Sequence, residues 1–169
     1  MTKRPRMSLY HTGLIVENLD EAMETMGDAL GLRWFTPRTA TSPFQSPGGV
    51  LEREVRFTYS LQGPHFIEIL EQIDPAPYLT VTGGRRVHHL GYYTDDLPTA
   101  ARWLEDHGYR RELNGVDHHG GIARATFHYN PESPGMWIEL VSHEVATEVG
   151  NEMMKAAEAL GIEFQSPFV

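Results

Sequence analysis

Four side chains in this 169-residue sequence are of a type and placement that could share a cation: His11, Glu68, His89 and Glu139. The two histidines open similar strings, HTGLIVENLDEA (11–22) and HLGYYTDDLPTA (89–100). The two glutamates sit near the end of another matched pair, GPHFIEILEQ (63–72) and PGMWIELVSH (134–143). Imidazole and carboxylate suit first-row divalent ions, and a set of two His and two Glu leaves Zn, Ni, Co, Mn and Fe(II) all open. The chain has no cysteine, so disulfides, thiolate nucleophiles and cysteine-type zinc sites are excluded together. A lone strand His or Glu would be read as structural. What points to a mixed N/O site is that each of two matched copies supplies one of each.

These residues need elements to carry them, and the repeat says which. In both copies a strand-like run follows the histidine, then a pair able to cap a helix, Glu17-Asn18 or Asp95-Asp96. EAMETMGDAL and PTAARWLEDHG carry apolar residues at helical spacing, with Gly31 and Gly108 as stops. Pro98 falls where a first helical turn tolerates it. Further strand-like runs follow: LRWFTP and EVRFTYSL in the first copy, YRREL and ARATFHY in the second. TATSPFQSPGG and NGVDHHGG have the composition of loops. The expected fold is α+β: two tandem βαβββ modules, at 7–75 and 87–143, forming a cupped mixed sheet around a metal site. A connector at 76–86 joins them, and a tail at 144–169 is read as a closing helix, with Val145, Val149, Met153, Ala156 and Leu160 at helical spacing. The histidines lie 78 residues apart and the glutamates 71, so the second copy is shorter. A separate expectation is an insertion between Phe57 and Glu68.

Strand alternation sets the faces. Phe66, Glu68 and Leu70 share one face, as do Trp137, Glu139 and Val141. A carboxylate in such company costs several kcal/mol unless it is paired, hydrogen-bonded or bound to a cation. Gly13 and Gly91 stand two residues beyond the histidines on the same face and leave room beside them. Register makes His89 the counterpart of His11. His88 then aligns with Tyr10, points the other way and is expected to be a bystander.

Composition narrows the partners. Asp and Glu number 23 against 14 Lys and Arg, a formal charge of −9, which argues against a sequence-independent nucleic-acid surface. No stretch approaches the roughly 20 apolar residues of a membrane span, so a cytoplasmic protein is expected, and the space beside the histidines is expected to take a small-molecule substrate.

On HTGLIVENLDEA, FIEIL, HHLGYYTDDL and MWIELV the chain resembles the vicinal-oxygen-chelate superfamily, the glyoxalase, bleomycin-resistance and dioxygenase group. The resemblance implies a divalent metal held by His11, Glu68, His89 and Glu139. HHLGYYTDDL and FHYNPESPGMWIELV are most similar to the methylmalonyl-CoA epimerase or glyoxalase-like branch. There the metal binds substrate oxygens and stabilises the enediolate left by proton loss, while a carboxylate moves the proton. This implies an isomerase, epimerase or lyase acting on a small carbonyl compound, with Glu139 and Glu68 as catalytic groups as well as ligands. Glu52 and Glu54 lie near where the epimerases keep a further carboxylate. Recognition of coenzyme A finds no basic cluster beyond Arg85-Arg86.

Two other readings stay open. One is an extradiol-type Fe(II) dioxygenase acting on an aromatic substrate, in which His119 and Tyr129 resemble groups around the iron. The other is a metal-free small-molecule binding or resistance protein. Trp137 and Tyr93 share faces with Glu139 and His89 and, with His119 and Tyr129, are expected to meet the substrate. His118, beside His119, is read as an exposed or gating loop residue. His65, His107, His128 and His143 have no counterpart in the other copy and are expected to be structural. The resemblance and the apolar stripe of the tail suggest a homodimer.

Overall fold

The computed structural model describes residues 3–72, 87–116, 119–132 and 136–168. The first half of the chain runs β1 (Ser8–Val16), α1 (Leu19–Leu30), β2 (Arg38–Ser46), β3 (Gly49–Tyr59) and β4 (Phe66–Glu71). The second half repeats this as β5 (Val87–Thr94), α2 (Leu97–Asp106), β6 (Arg110–Val116), β7 (Ile122–Tyr129) and β8 (Trp137–Ser142), and α3 (His143–Ala159) closes the chain. Each crossover helix starts where its cap residue stands. The Asn18 side chain accepts from the Glu21 N–H, and Asp96 accepts from that of Thr99. Gly31 ends α1 in the left-handed conformation.

The eight strands follow the order β1-β4-β3-β2-β6-β7-β8-β5 around a closed ring. Two seams join the halves, and they differ greatly. β1 and β5 pair antiparallel from Ser8↔Tyr93 to Leu14↔Val87, whereas β2 and β6 meet only at Phe44↔Gly115 and Gln45↔Asn114. β1 is parallel to β4, and β5 to β8. The result is the expected curled mixed sheet of βαβββ units, firmly joined on one side and lightly closed on the other.

Three local expectations are corrected. TATSPFQSPGG is mostly strand β2, because nine backbone pairs with β3 outweigh its loop-like composition. Pro43 is tolerated because the opposite edge of β2 is paired over only two residues. LRWFTP is not a strand: it makes one bridge, Trp34↔Ser60, and otherwise leads into β2. Nor does an insertion separate β3 from β4, which join through the short segment 60–65. Most of the extra length lies before β2, where 31–37 corresponds to 107–109.

Helix α3 packs on the core with Ala146, Gly150, Met153 and Ala157 buried, while Leu160 is exposed beyond the helix end. Phe168 lies over Gly150 and against Tyr10 and Tyr93, and the Tyr93 hydroxyl donates to the Pro167 carbonyl at 2.7 Å. The connector and Arg85-Arg86 fall outside the described residues. Among those residues, no helix is long and apolar enough to cross a membrane.

On β7, Ala125 and Phe127 face the interior, and His128 lies buried on the opposite face, paired in register with Ile138. Burial, and then the Arg111 guanidinium, push His128 down to about 4 from an ordinary 6.5. Between those values the unfolded chain binds a proton that the folded chain refuses. This contribution is therefore complete above pH 6.5 and is lost as the pH falls towards 4, at most about 3 kcal/mol. Urea unfolding of wild type and His128→Leu across pH 4–7 should show a shallower pH dependence for the variant. Parallel curves would contradict this account of His128.

Candidate metal centre

β1 and β5 run side by side with His11 opposite Gly91 and Gly13 opposite His89. On the outer sides Gly13 is level with Glu68 of β4, and Gly91 with Glu139 of β8. Two rows therefore run across four strands, His89–Gly13–Glu68 and His11–Gly91–Glu139, related by a pseudo-two-fold. A Cβ on Gly13 would overlap the His89 ring, and one on Gly91 would overlap the His11 ring. Each glycine leaves the space that the imidazole of the other strand fills.

The four side chains converge. His11 Nε2 lies 2.9 Å from His89 Nε2, 3.3 Å from Glu68 Oε2 and 3.0 Å from Glu139 Oε2. His89 Nε2 lies 3.1 Å from Glu68 Oε2 and 3.4 Å from Glu139 Oε2. Donors about 2.0–2.1 Å from a shared ion stand roughly 2.9 Å apart at right angles and roughly 3.4 Å apart at a tetrahedral angle. The observed spacings span that interval. All four residues are buried, and among the described residues Glu139 Oε2 meets no group but the two imidazoles that would share the ion with it. With those spacings and four ligand atoms converging, the cluster could hold a divalent metal through two nitrogens and two oxygens.

Charge couples the four side chains. Burial acts against charge on every member and is the largest influence on each, yet the mutual pairing outweighs it. His89 is raised to about 9 by Glu139 and Glu68, and His11 is raised as well. Glu68 and Glu139 are held below the usual carboxylate range by the two histidines. Two imidazolium protons then balance two carboxylates, and a divalent ion would supply the same charge in their place.

His88 is not the bystander expected from register. It is buried, its Nδ1 lies 3.0 Å from His89 Nδ1, and its ring stacks on Trp137 with centroids 5.3 Å apart. An imidazole that uses one nitrogen inward is oriented by what holds the other. His88 is thus the orienting partner of His89.

A cavity of about 350 Å³ opens beside the cluster, with Glu68, Glu139, Tyr10 and Tyr59 on its wall. Phe57, Leu70, Leu113, Phe127 and Val141 make most of its girth apolar, and Val145 and Val149 of α3 cover part of it. Burial first, then neighbouring carboxylates, hold the Tyr10 and Tyr59 hydroxyls well above their ordinary value, so both stay protonated as neutral donors. Sequence reasoning missed these two. The signal for Tyr59 was available, since it continues the alternating face of Val55 and Phe57 and pairs in register with Glu68.

The residues expected to meet substrate lie elsewhere. Tyr93 is buried under Phe168, Trp137 is stacked between His88 and Tyr129, and His119 is exposed; none of these four lines the cavity. Glu52 and Glu54 are exposed on the face of β3 opposite Val55 and Phe57. His118 and the Pro134-Gly135 turn fall outside the described residues. His65 and His107 take other partners, Thr12 and the Trp103 carbonyl, and His143 stacks on Tyr93.

The family model for the glyoxalase/bleomycin resistance protein/dioxygenase superfamily matches residues 10–127, most of the chain. The chain belongs to that superfamily. Among solved structures, methylmalonyl-CoA epimerase from Mycobacterium tuberculosis superposes with a TM-score of 0.60 at 20% identity, covering 84% of this chain and 92% of that one. An epimerase from Streptomyces coelicolor in complex with 2-nitronate-propionyl-CoA gives 0.59 at 20%, covering 80% and 96%. A hypothetical protein from Bacillus halodurans gives 0.59 at 16%, covering 80% and 94%. Identities this low speak for the superfamily fold alone. No curated protein matches.

Two outcomes follow for this superfamily member. Gly91→Ala should lose divalent-metal binding while the chain still folds, and His88→Ala should weaken it about 10- to 100-fold; wild-type affinity in both would contradict the geometry above. Because His89 carries a proton below about pH 9 in the metal-free chain, zinc or cobalt must displace it. Affinity measured by calorimetry should therefore climb with pH towards 9, with protons released to the buffer. A pH-independent affinity would contradict the assignment.

Proposed function

We propose that this chain is a divalent-metal-dependent enzyme that removes a proton beside a carbonyl of a small substrate, as an isomerase, epimerase or lyase does. The observation that carries the reading is the convergence of four buried donors, two of them carboxylates that also line the cavity. A divalent ion held by His11, Glu68, His89 and Glu139 supplies Lewis-acid polarisation to a carbonyl oxygen.

The chain's own residues supply the rest. Glu68 and Glu139 are ionised and face the cavity, so either is available as a base towards a substrate C–H there. Tyr10 and Tyr59 offer hydroxyl donors to a substrate oxygen at the same end. The apolar girth excludes water from the site of proton transfer and seats the substrate's body.

This reading is favoured over an extradiol dioxygenase because such a site uses two histidines and one carboxylate and leaves positions for catechol and oxygen. A second converging carboxylate fills one of those positions, and His119 and Tyr129 stand off the cavity wall. It is favoured over metal-free binding by the convergence of two buried carboxylate oxygens on the same two imidazole nitrogens, a ligand set with no use in a simple binding cavity.

Metal-loaded protein incubated in deuterated water with a panel of small carbonyl compounds should wash deuterium into the carbon beside the carbonyl. Glu139→Gln and Glu68→Gln should each slow that exchange by about 10²-fold or more. Oxygen consumption with catechols and no deuterium exchange would overturn the proposal.

A further inference from the structure

We infer that the cavity's ligand has three parts: an oxygen-bearing end for the metal centre, a compact apolar body, and a carboxylate at the far end that Arg124 binds. This rests on the metal-centred reading and adds the class of molecule. The cavity itself is graded. Its inner end carries Glu68, Glu139, Tyr10 and Tyr59, its girth is aliphatic and aromatic, and its only basic lining residues among those described are Arg38 and Arg124.

The two arginines are not equivalent. Arg38 is committed: its Nη2 donates to Glu152 of α3 at 2.6 Å, and its guanidinium lies over the Phe35 ring. Arg124 is exposed and forms no ion pair among the described residues. Its backbone is also unusual, with φ of +63°, a region L residues seldom adopt.

The cause is a bulge. Asn114 of β6 pairs with Thr126, but Gly115 pairs with Ala123, so Arg124 and Ala125 stand without partners on β6. The bulge fits because position 115 is glycine; a Cβ there would come within 2.5 Å of the Ala123 carbonyl oxygen. Bulges of this kind re-aim a side chain and recur beside active sites. Here the bulge brings Arg124, which has no ion pair among the described residues, to the lining of an apolar cavity, and a guanidinium grips a carboxylate with two parallel hydrogen bonds.

The surroundings select against a larger anion. Glu148 shares the rim, and Asp95, Asp96 and Glu144 line the adjoining groove together with Arg124. A single carboxylate can reach the guanidinium from inside the cavity. The phosphates of a nucleotide-type carrier, which would lie outside it, would meet those acids.

The test titrates the full zinc-loaded chain with alkyl hydroxamates, whose head supplies two adjacent oxygens, carrying a terminal carboxylate on chains of graded length. Each is matched with its neutral carboxamide. At the chain length that spans the cavity, the carboxylate should bind about 10-fold or more tighter than the carboxamide. Arg124→Gln should erase that preference while leaving carboxamide binding nearly unchanged. Arg124→Gly, which also relieves the backbone, should behave the same way. No preference at any length, a preference that survives Arg124→Gln, or tighter binding of coenzyme A than of any carboxylate would overturn the inference. Failure of the carboxamide hydroxamates to bind at all would instead overturn the metal-centred reading, and this inference with it.

Discussion

The site hangs on one steric fact: where β1 and β5 run side by side, each imidazole occupies the space that a side chain at the opposing glycine would need. Antiparallel pairing puts His11 against Gly91 and His89 against Gly13, so the exchange is reciprocal. Parallel pairing on either side then brings Glu68 and Glu139 level with those glycines. A one-residue slip of either strand would turn its histidine to the other face and place a side chain where a ring must lie. The long β1/β5 seam is thus what makes a four-residue centre from two separate halves, and the short β2/β6 seam leaves room for a cavity.

The same pairing concentrates charge where water is scarce. Two buried carboxylates demand two positive charges, and the centre can meet that demand with two imidazolium protons or one divalent ion. Protons and metal therefore compete for one place. Both carboxylates remain ionised on the wall of an apolar cavity.

The centre was legible in the sequence because a repeat exposes register. HTGLIV above HLGYYT separated His89 from His88, and FIEIL above MWIELV matched Glu68 with Glu139. What was not legible depended on contacts between distant strands. His88 is turned towards His89 and stacked by Trp137, a relation that alternation along β5 does not contain. Trp137 shares a face with Glu139, yet that stack occupies it. TATSPFQSPGG has the composition of a loop and becomes β2 through its pairing with β3. Arg124 owes its position to a bulge that appears only once β6 and β7 are laid side by side.

The central claim is that His11, Glu68, His89 and Glu139 hold one divalent ion between them. X-ray absorption on the chain loaded with zinc or cobalt tests this most directly. The account predicts one tightly bound ion per chain with two imidazole nitrogens and two carboxylate oxygens in its inner coordination, and loss of that spectrum in His89→Ala. An ion with fewer than two imidazoles, or an unchanged spectrum in His89→Ala, would contradict it.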